Sequence, residues 1–128
     1  MSEENVEIVK GLFGFLESND LEAMFRLFDA KIEWSPTEGT YRGVEGVANS
    51  FIEWMEPWVE HKIEPEEFID SGEDQVLATI HLTARGEHSG MEIDQRFFQL
   101  YTLEAGKIKR MVEYHYRALA LKAAGLRE

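Results

Sequence analysis

Glu113 and His115 stand two residues apart in Met111-Val112-Glu113-Tyr114-His115, and a second histidine, His81, lies in a segment of similar extended character. A carboxyl and an imidazole are the side chains that most readily exchange protons near neutral pH. Period two puts Met111, Glu113 and His115 on one strand face and Arg110, Val112, Tyr114 and Tyr116 on the other. Apolar count alone turns the second set inward and leaves Glu113 at the surface, beside Arg110 or Arg96. Facing an apolar hollow instead, the carboxyl would be placed for general acid or base work.

Residues 75–86 carry the same ambiguity. Val76, Ala78, Ile80, Leu82 and Ala84 form one face, with Thr79, His81, Thr83 and Arg85 opposite. Lining a cavity, His81 would be a proton donor or acceptor and Arg85 would stabilise an oxyanion; pointing outward, both would meet solvent. Further on, Gln95, Phe97, Gln99 and Tyr101 alternate with Asp94, Arg96 and Phe98. Amides that both donate and accept, interleaved with rings, suit an oxygenated hydrophobic ligand, although ordinary sheet packing uses the same pattern. Trp34, Tyr41, Trp54 and Trp58 add rings with polar edges.

The elements that must position these groups are readable from periodicity. Val6, Val9, Phe13 and Leu16 recur at helical spacing behind Glu3 and Glu4, and the interior Gly11 and Gly14 imply close packing of another element as compensation. Asn19-Asp20 offers caps for a second helix through Leu21, Met24, Phe25 and Phe28. Ile32–Ser35 has strand character, Pro36–Gly43 is turn-rich, and a third helix, Val44–Met55, stops before Pro57. Turn clusters then separate four strands, about 60–70, 75–86, 91–103 and 107–116, joined by short loops and so antiparallel. Ala118–Ala124 makes a last helix stopped by Gly125. Helices followed by a meander is the α+β order, expected here as one domain over residues 1–128.

Composition narrows the partners. Thirteen Lys and Arg face 25 Asp and Glu, and the formal charge of −12 is spread along the chain. A phosphate backbone asks for clustered cations, so neither nucleic acid nor an anionic membrane surface is an expected partner. The chain has no cysteine, no H-E-x-x-H spacing, no apolar run of membrane-spanning length and no signal-peptide pattern, so the expectation is a cytoplasmic protein without a metal.

Leu16-Glu17-Ser18-Asn19-Asp20-Leu21, Ile32-Glu33-Trp34, Tyr41-Arg42-Gly43-Val44-Glu45-Gly46-Val47 and Gly106-Lys107-Ile108 with Glu113-Tyr114 carry a resemblance over nearly the whole chain. It is to the SnoaL-like polyketide cyclase group of the nuclear transport factor 2-like (NTF2-like) superfamily. The resemblance implies an α+β, cystatin-like cone: a curved, mixed, mostly antiparallel sheet around the N-terminal helices, with an internal pocket and often a dimer. Glu113 falls where the similar limonene epoxide hydrolase has a catalytic aspartate before a tyrosine. In a cone whose outer face a second subunit covers, the polar row with His81 and Arg85 would line the cavity. Two departures stand out: the first helix lacks the tyrosine of ketosteroid isomerase, and no Arg-x-Asp pair of the epoxide hydrolase type stands near Thr79, His81 or Thr83.

The resulting expectation is a cofactor-independent acid–base enzyme, of cyclase, isomerase or hydrolase type, acting on a hydrophobic oxygenated molecule. Glu113, His81 and His115 would be catalytic, and Trp34, Tyr41, Trp54, Trp58, Arg85, Gln95, Phe97, Gln99, Tyr101 and Met111 would bind the ligand. Homodimerisation is expected through the outer sheet face. The alternatives are a non-catalytic carrier using the same pocket, or an interaction module whose interface is the apolar row from Val76 to Ala84.

Overall fold

A computed structural model describes residues 2–36 and 38–126. Helix α1 (Ser2–Glu17) and the short α2 (Leu21–Phe25), N-capped by the Asp20 carboxylate on the Ala23 N–H, precede strand β1 (Phe28–Ser35). Strand β2 (Tyr41–Arg42) and helix α3 (Gly43–Met55) follow. The long strands β3 (Trp58–Gly72), β4 (Gln75–Gly86) and β5 (Glu92–Glu104), then β6 (Lys107–Tyr114) and helix α4 (Arg117–Ala123), complete the order.

The six strands form one sheet in the order β2-β1-β6-β5-β4-β3. Neighbours are antiparallel except β1 and β6, which run parallel with Trp34 opposite Met111, so the sheet is mixed as expected. Between β3 and β4 the register shifts at three places, between Trp58 and Glu60, Pro65 and Glu67, and Asp70 and Gly72. Such bulges bend a strand and sharpen its twist, which curls this edge of the sheet toward the helices. The β4–β5 ladder is unbroken from Gln75 opposite Thr102 to Arg85 opposite Glu92, so both strands keep their alternation along this whole length.

Val9, Leu12 and Phe13 of α1, with Met24 and Val47, pack on the face of β4 that carries Val76, Ala78, Ile80, Leu82 and Ala84. The apolar row is therefore the concave inner face, packed against the chain's own helices, and is not turned outward toward a protein partner. A smaller apolar patch of Leu77, Phe98 and Leu100 lies on the other face, where Ala120, Leu121 and Ala124 of α4 cover it. Ile69 and Tyr114 border this patch, and the β4 and β5 residues beyond it on that face, from Thr79 to Arg85 and from Glu92 to Arg96, are polar. Among the described residues no helix is long and apolar enough to cross a membrane.

Three local expectations need correction. Phe28 opens β1 instead of continuing α2, because its register partner is Ile108 and the Ile108 N–H donates to the Leu27 carbonyl at 2.8 Å. Tyr41 and Arg42, inside the turn-rich stretch, pair with Trp34 and Glu33 as an edge strand. At Gly11 and Gly14, an added Cβ would meet nothing within 4 Å, so close packing does not explain either glycine.

Candidate functional site

The helices do not fill the concave face. A cavity of about 530 Å³ opens between α1, α3 and strands β4 to β6. Buried Leu12, Phe13, Met24, Ile80, Tyr101 and Met111 form its floor, and the exposed Tyr41, Glu53, Trp54, Gln95 and His115 form its rim. One wall comes from α3, whose spacing puts Ser50, Phe51 and Trp54 on one helical face. The Phe51 ring lies 6.0 Å from that of Trp34, and the Phe13 ring meets Tyr101 edge-on at 6.4 Å. Both separations are in the range of favourable aromatic pairs.

Glu113 breaks this apolar lining. Antiparallel pairing sets Gln99 of β5 directly opposite Glu113 of β6, so both side chains leave the same face as cross-strand neighbours. The Gln99 amide Nε2 donates to Glu113 Oε1 at 3.3 Å, and His115 Nε2 lies 3.2 Å from Oε2. Because a carboxylate only accepts, the His115 contact is made through its Nε2–H. The Tyr101 hydroxyl in turn donates to Gln99 Oε1. Burial, reinforced by the negative charge of Glu113, pushes the Tyr101 phenol well above its ordinary range and keeps it a donor. Only 16% of the Glu113 side chain is exposed, against 40% for His115. The arrangement is a chain of donors ending on a carboxylate that borders an apolar hollow.

Of the residues singled out from sequence, Trp34, Tyr41, Trp54, Gln95, Phe97, Gln99, Tyr101, Met111, Glu113 and His115 line this cavity. His81, Arg85 and Trp58 do not. His81 leaves the outer face and bonds Asp94 Oδ1 through Nε2 at 2.6 Å. On the same strand face Arg85 bonds Glu60 at 3.2 Å. The physical reason is the parity of β4: its apolar row is taken by the core, so the polar row must point away. Trp58 packs beside Trp54 at 6.0 Å between ring centres, behind the rim. Arg96, one candidate partner for Glu113, instead makes a two-point contact with Glu66 at 2.7 and 3.1 Å, and this hydrogen bond holds the Glu66 carboxyl below its usual range.

Ser50, Phe51 and Glu53 are among the lining residues that sequence reasoning missed. The signal was available in α3, where they share a helical face or its border with Trp54. Among the described residues no three His, Asp or Glu side chains converge as a metal-binding group.

Comparison with known proteins gives consistent results. Residues 9–111 match the sequence profile described as the SnoaL-like domain. An NTF2-like protein from Burkholderia xenovorans LB400 superposes with a TM-score of 0.77 at 27% identity, covering 97% of each chain. TerC, co-crystallised with polyporic acid, is 18% identical with a TM-score of 0.78 over 95% of this chain and 98% of its own. RV0760c from Mycobacterium tuberculosis, in complex with estradiol-17beta-hemisuccinate, is 17% identical with a TM-score of 0.76 over 89% of this chain and 95% of its own. No curated protein matches the sequence significantly.

Proposed function

Since the chain belongs to the SnoaL-like domain family, with an NTF2-like fold whose solved relatives include small-molecule complexes, we propose that it binds a ring-bearing hydrophobic molecule and acts on it without a cofactor. In this reading Glu113 is the general base or acid, His115 its neighbour in proton transfer, and the aromatic wall of Trp34, Phe51 and Trp54 holds the rings. The single observation that carries the reading is the Glu113 carboxylate set into the wall of a mostly apolar cavity, with Gln99 and His115 on its two oxygens. A carboxylate held this way is oriented before the ligand arrives and need not reorganise during proton transfer.

The test is a panel of ring-bearing ketones, epoxides and alcohols, followed by thermal shift for binding and by mass spectrometry for product. Glu113→Gln keeps the shape of the side chain and should lower turnover by about 10²-fold or more while ligand-dependent stabilisation survives. Equal turnover in both proteins would reject the assignment.

A carrier using the same cavity is the second reading, and one observation favours it. His81, one of the three residues expected to be catalytic, bonds Asp94 on the opposite sheet face. Thermal stabilisation by ligands that are recovered unchanged would decide for the carrier.

A further inference from the structure

The polarity of the hydrogen-bond chain defines which ligands the cavity prefers. The Tyr101 O–H occupies the carbonyl end of the Gln99 amide, so the NH₂ end must face Glu113. Tyr101 is fully buried and remains a donor, which holds the amide in this orientation. The Gln99 amide and the His115 ring thereby direct donors at Glu113. A carboxylate offers about four acceptor positions, of which Gln99 and His115 take two, so Glu113 retains acceptor capacity for a ligand.

Apart from His115, whose imidazole already donates to Glu113 and is a cation only when protonated, the charged side chains around the hollow have one sign. Glu113 and Glu53 are its acidic lining residues, and among the described residues that line it there is no lysine or arginine. The rings of Trp34, Phe51, Trp54 and Phe97 line the hollow as well, and an aromatic face attracts a cation that reaches it. The chain as a whole carries −12. A ligand carboxylate would enter this setting without a compensating cation, whereas an ammonium would meet both an acceptor and ring faces.

We infer that the cavity selects ring-bearing amines, with the ammonium donating to Glu113, and discriminates against carboxylates of the same frame. This rests on the cavity being a ligand site. Three probes sharing one ring system test it: 2-naphthylmethylamine, 2-naphthylmethanol and 2-naphthoate, titrated calorimetrically at pH 7 and moderate salt into the full chain. The amine should bind at least about tenfold tighter than the alcohol, and naphthoate should be weakest. Glu113→Gln should bring the amine close to the alcohol.

Naphthoate binding as tightly as the amine, or an amine preference that survives Glu113→Gln, would overturn the inference. Binding of the alcohol without an amine preference would remove the selectivity and leave the cavity reading standing. Failure of all three probes to bind would remove both.

Discussion

Replacing Gln99 by leucine separates the two ends of the donor chain and should expose their coupling. In the native protein the amide accepts from Tyr101 and donates to Glu113. Leucine keeps a similar volume but leaves the phenol, which has no exposed surface, without an acceptor. An orphaned buried donor costs about 1–3 kcal/mol, and the lost bond to a charged group adds to it. A total of roughly 2–3 kcal/mol corresponds, for a chain of 128 residues, to a fall in Tm of about 7–11 °C. Tyr101→Phe alone should cost about 1 kcal/mol, the net value of one hydrogen bond. The double variant has no orphaned hydroxyl, so its loss should be smaller than the sum of the two single losses by about 1–2 kcal/mol. Urea unfolding of the four proteins, followed by tryptophan fluorescence, measures this coupling. Losses that add to within about 0.5 kcal/mol would show that the chain does not act as a unit, and the orientation assigned to Gln99 would fall with it.

Gly14→Ala should stabilise the protein by up to about 1 kcal/mol, seen as a higher urea midpoint, because the site is exposed and helical and an added Cβ meets nothing within 4 Å. Tyr101 should shape the alkaline limb of stability. Its folded pKa is raised, so its contribution is intact below the unfolded value of about 10 and is lost as pH rises from there toward the folded value. Tyr101→Phe should flatten that limb, and the part of the parent's tyrosinate absorbance that this variant lacks should rise only as the parent unfolds. His81→Gln should leave ligand-dependent thermal stabilisation unchanged, since the histidine bonds Asp94 on the outer face, whereas Trp54→Ala at the cavity rim should reduce it. The reverse pattern would return the site to the outer face.

The sequence alone determined where the helices and the long strands lie, because their periods are local properties of the chain. It also determined that Met111, Glu113 and His115 share one face, and that the apolar row of β4 opposes the row holding His81. The SnoaL-like character was legible in the short segments that carried the resemblance, and the fold followed from it. Alternation, however, names two faces without saying which is inside. That choice belongs to the helices that pack on the sheet and to the partner strands. Counting apolar residues sent Glu113 to the surface. The family resemblance placed it in the pocket, but the same cone geometry, with a subunit imagined over the outer face, sent His81 there as well.

Only the tertiary arrangement decided these points. Pairing of β5 with β6 set Gln99 against Glu113, and α1 covered the apolar row of β4 and turned His81 outward. The parallel pairing of β1 with β6 joins segments at opposite ends of the chain, and no local pattern announces it. The cavity itself is the space that α1 and α3 leave when they rest on a curved sheet. Volume left unfilled depends on all of those elements at once, so it has no signature in any one stretch of residues.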